Sequence, residues 1–162
     1  MKITFAPRGI LQIDDATIIY RNFSGAGSKF NRPGDRNFAV VIETTEDADQ
    51  LAERGWNVKV KPPREEGDEP FMYLPVKVKF NERGPKVYLQ SGKSRNVLDE
   101  DMVSCLDDID ILSVDLDIRP YDWTIQEGTP NEKSGRTAYL QSMHVTQRVD
   151  RFAERYAEED MF

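Results

Sequence analysis

The chain has a single cysteine, Cys105, so no internal disulfide can form, and one lone thiol fits a reducing compartment. It has a single histidine, His144, on a strand-like stretch between Met143 and Val145, where a structural role is commoner than general-base work. No apolar run approaches the roughly 20 residues that span a bilayer. The opening MKITFAPRG lacks the apolar stretch of a secretory leader, so a cytoplasmic protein without membrane partners is expected. There is no G-x-x-x-x-G-K-[ST] loop, which removes that route to nucleotide hydrolysis. The GAG at 25–27 reads as a flexible loop, with no helix behind it to cradle a phosphate. Positive charge is also short: the formal net charge is −7, whereas duplex-binding proteins are usually basic.

That total hides a block pattern. Residues 1–40 are net +3, 41–70 are −5, 71–98 are +5, 99–135 are −9 and 136–162 are −1. Local potential, more than the total, decides what a groove attracts. At 162 residues the chain is long enough for one domain with a sizeable core, and 38% hydrophobic content is polar for such a domain without signalling disorder.

Most of the chain reads as strand. The segments 16–23, 37–43, 57–62, 73–80, 86–90, 111–123 and 137–147 are rich in β-branched and aromatic residues. Val76-Lys77-Val78-Lys79-Phe80 and Val114-Asp115-Leu116-Asp117-Ile118 alternate apolar with polar, which gives one wet and one buried face. Loops at 24–36, 62–70, 81–85 and 126–135 carry the Gly, Pro, Asn and Asp that turns need. A helix is expected over 44–56, with Thr44 and Asp47 in a capping-box pattern and Gly55 as its stop. Short helices are expected over 99–106 and 149–159, the latter stacking Phe152 on Tyr156. The expected fold is all-β, or β-rich α+β. It is a single small antiparallel barrel or sandwich with one to three short helices, and the oligonucleotide-binding (OB) barrel is the candidate within that class. The domain spans 1–157, with an acidic tip at 158–162.

The basic blocks interleave cations with rings. The first runs Tyr20, Arg21, Phe23, Lys29, Phe30, Arg32, Arg36, Phe38, and the second Tyr73, Lys77, Lys79, Phe80, Arg83, Lys86, Tyr88, Lys93, Arg95. Cations at strand spacing suit phosphates, and exposed rings suit bases. Phe38, Phe80 and Tyr88 read as core, because burial is what strand aromatics mostly do, and Trp56 reads the same way. Phe30, between Lys29 and Arg32 in a Gly-rich loop, has no obvious core to fill and reads as functional. In IRPYDW (118–123), Pro120 marks an edge or bulge, while Arg119, Tyr121 and Trp123 alternate onto one face, either to stack bases or to cap the barrel end.

The acidic run holding Asp107, Asp108, Asp110, Asp115 and Asp117 raises a magnesium nuclease or junction resolvase as a rival. Its spacing matches no calcium loop, and a solvated strand face is the commoner reading. Cys105, flanked by acids, should have a raised thiol pKa and be buried. No catalytic residue, metal or cofactor is therefore assigned. A second rival is a protein-interaction or assembly module whose charged strands face another subunit.

RNFAVVIE early, IRPYDW before a Gly-containing loop, and GRTAYLQSMHVT near the end resemble the small single-stranded DNA-binding proteins of tailed bacteriophages, over about residues 25–157. The resemblance covers Arg36, Asn37 and Phe38 in the first motif, Arg119, Pro120, Tyr121 and Trp123 in the second, and Gly135, Ala138, Tyr139, Met143 and Val145 in the third. It implies an OB fold that coats single strands during replication, recombination or repair, in the bacterial host cytoplasm. Residues and resemblance together nominate Tyr20, Arg21, Lys29, Phe30, Arg32, Arg36, Lys77, Lys79, Lys93, Arg95, Arg119, Tyr121 and Trp123 for DNA. The loop QEGTPNEK before Gly135 is longer than the resemblance implies.

The last residues, Glu158, Glu159, Asp160, Met161 and Phe162, set two large apolar side chains behind three acids. Single-strand-binding proteins of bacteria and some phages end similarly. The expectation is a hook for a replication or recombination partner, with Phe162 filling an apolar pocket rimmed by cations. A homo-oligomer is left open.

Overall fold

A computed structural model describes residues 1–149 and Phe152. Ten strands make it up: β1 (Lys2–Phe5), β2 (Leu11–Ala16), β3 (Ile18–Asn22), β4 (Arg36–Ile42), β5 (Lys59–Lys61), β6 (Phe71–Val78), β7 (Lys86–Ser91), β8 (Ser94–Leu98), β9 (Ile111–Ile125) and β10 (Lys133–Gln147). One helix, α1 (Thr45–Glu53), lies between β4 and β5, and short 3-10 turns occupy Pro7–Gly9 and Val103–Asp107. The chain is mostly β, as its alternation implies.

All strands belong to one sheet, ordered β1-β2-β9-β10-β6-β4-β3, with β5 on β6 and the β7–β8 hairpin on β10. Among the described residues the hydrogen-bonded path runs from β1 to β3 without closing. Most pairs are antiparallel, as expected, but β10 runs parallel to both β6 and β7. The reason is local. Tyr139 of β10 pairs with Lys77 near the end of β6, and Ser142 pairs with Lys86 at the start of β7. Strands β6 and β7 therefore lie end to end along one edge of β10, and residues 79–85 loop out between them. Residue Gln141 is the extra residue of a bulge at that point.

Alternation builds the interior. Leu74, Val76 and Val78 of β6, Phe38 and Val40 of β4, and Leu116 and Ile118 of β9 are buried in one cluster with Leu140, Met143 and Val145 of β10. Each such side chain contributes about 1.5–3 kcal/mol on burial. Phe23 stacks on Phe38 with ring centroids 5.2 Å apart, and Trp56 is buried as expected. Helix α1 begins where the capping box places it, the Thr44 hydroxyl accepting from the Asp47 amide at 3.1 Å, and it buries Ala48 and Leu51. The expected second helix is a 3-10 turn that buries Val103 and Leu106. Cys105 within it is only half-buried, so the expectation of full burial fails; partial burial still pushes its thiol pKa up, as do Asp107 and Asp108. Apart from residue 149 and Phe152, the helix expected over 149–159 lies outside the described residues, Tyr156 of its ring pair included, and so does the tip at 158–162.

Candidate nucleic-acid interface

The register places one row of residues straight across the sheet. Asn37 of β4 is opposite Lys77 of β6, Lys77 is opposite Tyr139 of β10, and Tyr139 is opposite Arg119 of β9. Their sequence neighbours Phe38, Val76, Val78, Ala138, Leu140 and Ile118 are buried. Successive side chains of a strand point to opposite faces, so the row points outward. Adjacent members stand on strands about 4.8 Å apart.

Rings and cations then stack along this face. The Arg119 guanidinium lies 4.8 Å from the Tyr139 ring centre, and Tyr121 meets Tyr139 edge-on at 6.1 Å. Two residues further, Trp123 is opposite Gly135. Pro120 sits within β9 at no cost to the ladder, because β2 pairs with β9 only as far as Ile118. Pro120 thus marks an edge, as its chemistry requires, and beyond it β9 and β10 continue as a two-stranded arm. Tyr121 and Ile125 are exposed on that arm.

A second group of rings lies along the outward residues of β6. Tyr73 is 5.6 Å from Tyr20 and 5.8 Å from Phe71, centre to centre. Tyr20 reaches this position from a bulge in β3, with φ at 53°. Lys59 and Lys61 of β5 pair with Tyr73 and Phe71 and so share their face. Lys61 Nζ donates to the Tyr20 hydroxyl at 2.8 Å and sits 5.0 Å from its ring centre. That hydrogen bond raises the Lys61 pKa.

The Gly-rich loop folds over the row's edge. The Asn22 side-chain oxygen accepts from the Ala26 amide at 3.0 Å, Gly34 donates to the Gly25 carbonyl at 2.7 Å, and Asn37 donates to the Asn31 side chain at 2.8 Å. Phe30 is left 87% exposed, with Lys29 5.7 Å from its ring centre. Between loop and sheet lies an open cleft of about 480 Å³, bordered by Phe30, Asn31, Asn37, Lys77, Lys79 and Tyr139.

Of the residues nominated from sequence, Lys77, Arg119, Tyr121 and Trp123 share this face, with Lys79 at the cleft beside Lys77. Lys29, Phe30 and Arg32 flank it in the loop, and Tyr20 sits at its far end. Arg21 is used elsewhere, whereas Arg36 borders the cleft with its guanidinium already engaged. Arg21 donates to the carbonyls of Leu106 and Ile109 at 2.7 and 2.8 Å, anchoring the 3-10 turn. Arg36 pairs with Val78, so it follows the inward alternation. Its guanidinium donates to the Phe23 carbonyl at 2.9 Å, bridges Glu100 at 3.0 Å and lies 5.7 Å from the Phe80 ring centre. Lys93 and Arg95 belong to the β7–β8 hairpin. Arg95 covers Tyr88 at 4.4 Å in a hollow that also holds Asp14, Asp115 and Asp117, so its surroundings are acidic. Tyr139, Tyr73, Phe71, Lys59 and Lys61 were not nominated. Their signal was parity: Phe71, Tyr73 and Lys77 alternate on one strand.

The acidic run is divided among separate hydrogen bonds. Asp107 accepts from the Phe23 and Ser24 amides at 2.7 and 3.0 Å, Asp115 from the Asp15 amide at 2.8 Å, and Asp117 from the Ser142 hydroxyl at 3.2 Å. Among the described residues no three His, Cys, Asp or Glu side chains converge as a metal site would need.

A family model described as "Putative phage ssDNA-binding domain" matches residues 2–161. Among solved structures, the chain is similar to the C-terminally truncated single-stranded DNA-binding protein from bacteriophage Enc34, at 12% identity and a TM-score of 0.49, covering 91% of each chain. No curated protein matches at the same stringency.

Proposed function

The chain belongs to the phage single-stranded DNA-binding domain family, and we propose that it binds single-stranded DNA, with little regard to sequence, along the outward face of β4, β6, β10 and β9. The observation that carries this reading is the paired row Asn37–Lys77–Tyr139–Arg119 with Tyr121 and Trp123 beside it. Unpaired bases have free π-faces, and each ring that takes one contributes about 1–3 kcal/mol whatever the base. Lys59, Lys61, Lys77, Lys79 and Arg119 neutralise phosphates between the stacked bases. A duplex hides its base faces and offers mainly phosphates, and a protein of net charge −7 has little general attraction for those.

Binding of this kind makes and breaks no covalent bond and calls for no cofactor. It suits a protein that coats and protects single strands while DNA is copied or recombined. Residues 158–162 add a docking element: three acids ahead of Met161 and Phe162 suit an apolar pocket rimmed with cations on a replication or recombination protein. Deleting them should leave DNA affinity equal or higher and abolish partner capture; undiminished capture would remove that element.

The two tryptophans supply the test of the DNA face. Trp56 is buried, whereas Trp123 lies on the arm. Oligo-dT should quench part of the intrinsic fluorescence of the wild-type protein, and Trp123→Phe should abolish that quenching while Trp56 emission persists. Quenching that survives Trp123→Phe would remove the arm from the interface.

A further inference from the structure

The outward face has two different ends. Past Arg119 along β9, the outward residues are Asp117 and Asp115, and Asp14 joins them in the same hollow. A strand of phosphates cannot continue there. Beside Arg119, a cleft of about 640 Å³ opens where β10 changes partner from β6 to β7. Lys79, Arg83, Lys86 and Arg119 line it. Lys79 also borders the cleft under the Gly-rich loop, so the two openings adjoin at that side chain.

The segment that carries these cations is a built turn. Asn81 donates to the Gly84 carbonyl at 2.8 Å, Gly84 donates back to Asn81 at 3.2 Å, and the Arg83 amide donates to the Asn81 side chain at 2.9 Å. Arg83 and Lys86 are exposed, and among the described residues neither side chain is engaged in an ion pair. Two strands that could have been one thus part to hold a fixed basic knuckle over the bulge at Gln141.

We propose that this knuckle is the exit of the DNA path: the single strand turns off the sheet at Arg119 and leaves through the cleft, its phosphates held by Lys79, Arg83 and Lys86. The proposal rests on the DNA-binding reading above and adds a direction to it. The stacking face then serves a short strand by itself, and the knuckle is reached only by a longer one.

The test compares wild type with the double variant Arg83→Ala/Lys86→Ala on oligo-dT of about 4 and about 15 nucleotides, near the two ends of the range one OB-type domain covers. Anisotropy is recorded over a salt series, and thermal melting confirms that the variant folds. On the long strand, the slope of log affinity against log salt should shrink by about 1.4, two phosphates at about 0.7 each. On the short strand it should not change. Equal losses at both lengths, or no loss on the long strand, would overturn the exit route while leaving DNA binding intact. Failure of the wild-type protein to bind either strand would instead bring down the DNA-binding reading, and the route with it.

Discussion

The Trp123 ring lies across Gly135 so closely that a Cβ on residue 135 would stand 2.6 Å from the ring carbon Cζ2. The two residues face each other on the β9–β10 arm, and the missing side chain of one is the resting place of the other. Gly135→Ala must therefore displace the indole. Because the ring is only half-buried it can move, and the stability cost should be about 1 kcal/mol or less. The displaced ring should lose its DNA-dependent quenching, and affinity for oligo-dT should fall several-fold. Unchanged quenching and affinity in Gly135→Ala would show that the ring's seat has no part in binding.

Tyr139 holds the centre of the face, with Arg119 over its ring and Tyr121 at its edge. Tyr139→Ala removes a stacking surface and the support of a cation together. The expected cost is about 1–3 kcal/mol of single-strand affinity, or roughly 5- to 150-fold. Tyr139→Phe keeps the ring and should stay near wild type. The pair is measured by titration against oligo-dT at fixed salt.

Arg21 should behave differently from Lys77, although both are basic residues in ring-laced segments. Arg21→Ala leaves the Leu106 and Ile109 carbonyls without their donor, so it should lower stability by about 1.5–3 kcal/mol. Its affinity for DNA, measured well below the melting temperature, should be unchanged. Lys77→Ala should show the reverse: unchanged melting, and a salt slope smaller by about 0.7.

Arg136 ties the arm to the helix. Its Nε and a terminal nitrogen donate to both carboxylate oxygens of Asp122 at 2.7 and 3.0 Å, and its other terminal nitrogen donates to the Arg54 carbonyl at 2.6 Å. The fork holds the Asp122 carboxyl below its ordinary pKa of 3.8. A carboxyl whose folded pKa is lowered stabilises the protein above its unfolded pKa, and the contribution is lost as pH falls through the folded one. Acid unfolding of wild type should therefore steepen below about pH 4 relative to Asp122→Asn. Asp122 is 64% exposed, so solvent screening keeps the difference under about 1 kcal/mol. Denaturant melts from pH 7 to 2.5 measure it, and parallel curves for the two proteins would contradict the assignment.

Much of the fold was legible because alternation is a local signal. Strands β4, β6, β7, β9 and β10, the Thr44 cap and the stop at Gly55 stand close to where residue patterns put them. Strands β1, β2 and β8 were missed. KITF is short, LQIDDA carries paired acids at a bulge, and SRNVL presents four exposed residues, so none shows a clean apolar period. Parallel pairing of β10 with β6 and β7 was beyond reach, since it depends on which edge a distant strand finds. The site divided along the same line. Arg119, Tyr121 and Trp123 were readable as one face from spacing alone. What Arg21 and Arg36 hold was not readable, because composition reports a cation and says nothing of the carbonyls and carboxylate waiting for it 60 to 90 residues away.

The central claim is that rings and cations on one sheet face take a single strand and not a duplex. Its most direct test is fluorescence anisotropy of labelled oligo-dT beside a duplex of equal length, over a salt series without added metal. The account predicts preference for the single strand, with log affinity falling by about 0.7 per phosphate neutralised as log salt rises. Equal affinity for the duplex, or no binding to either at low salt, would contradict it.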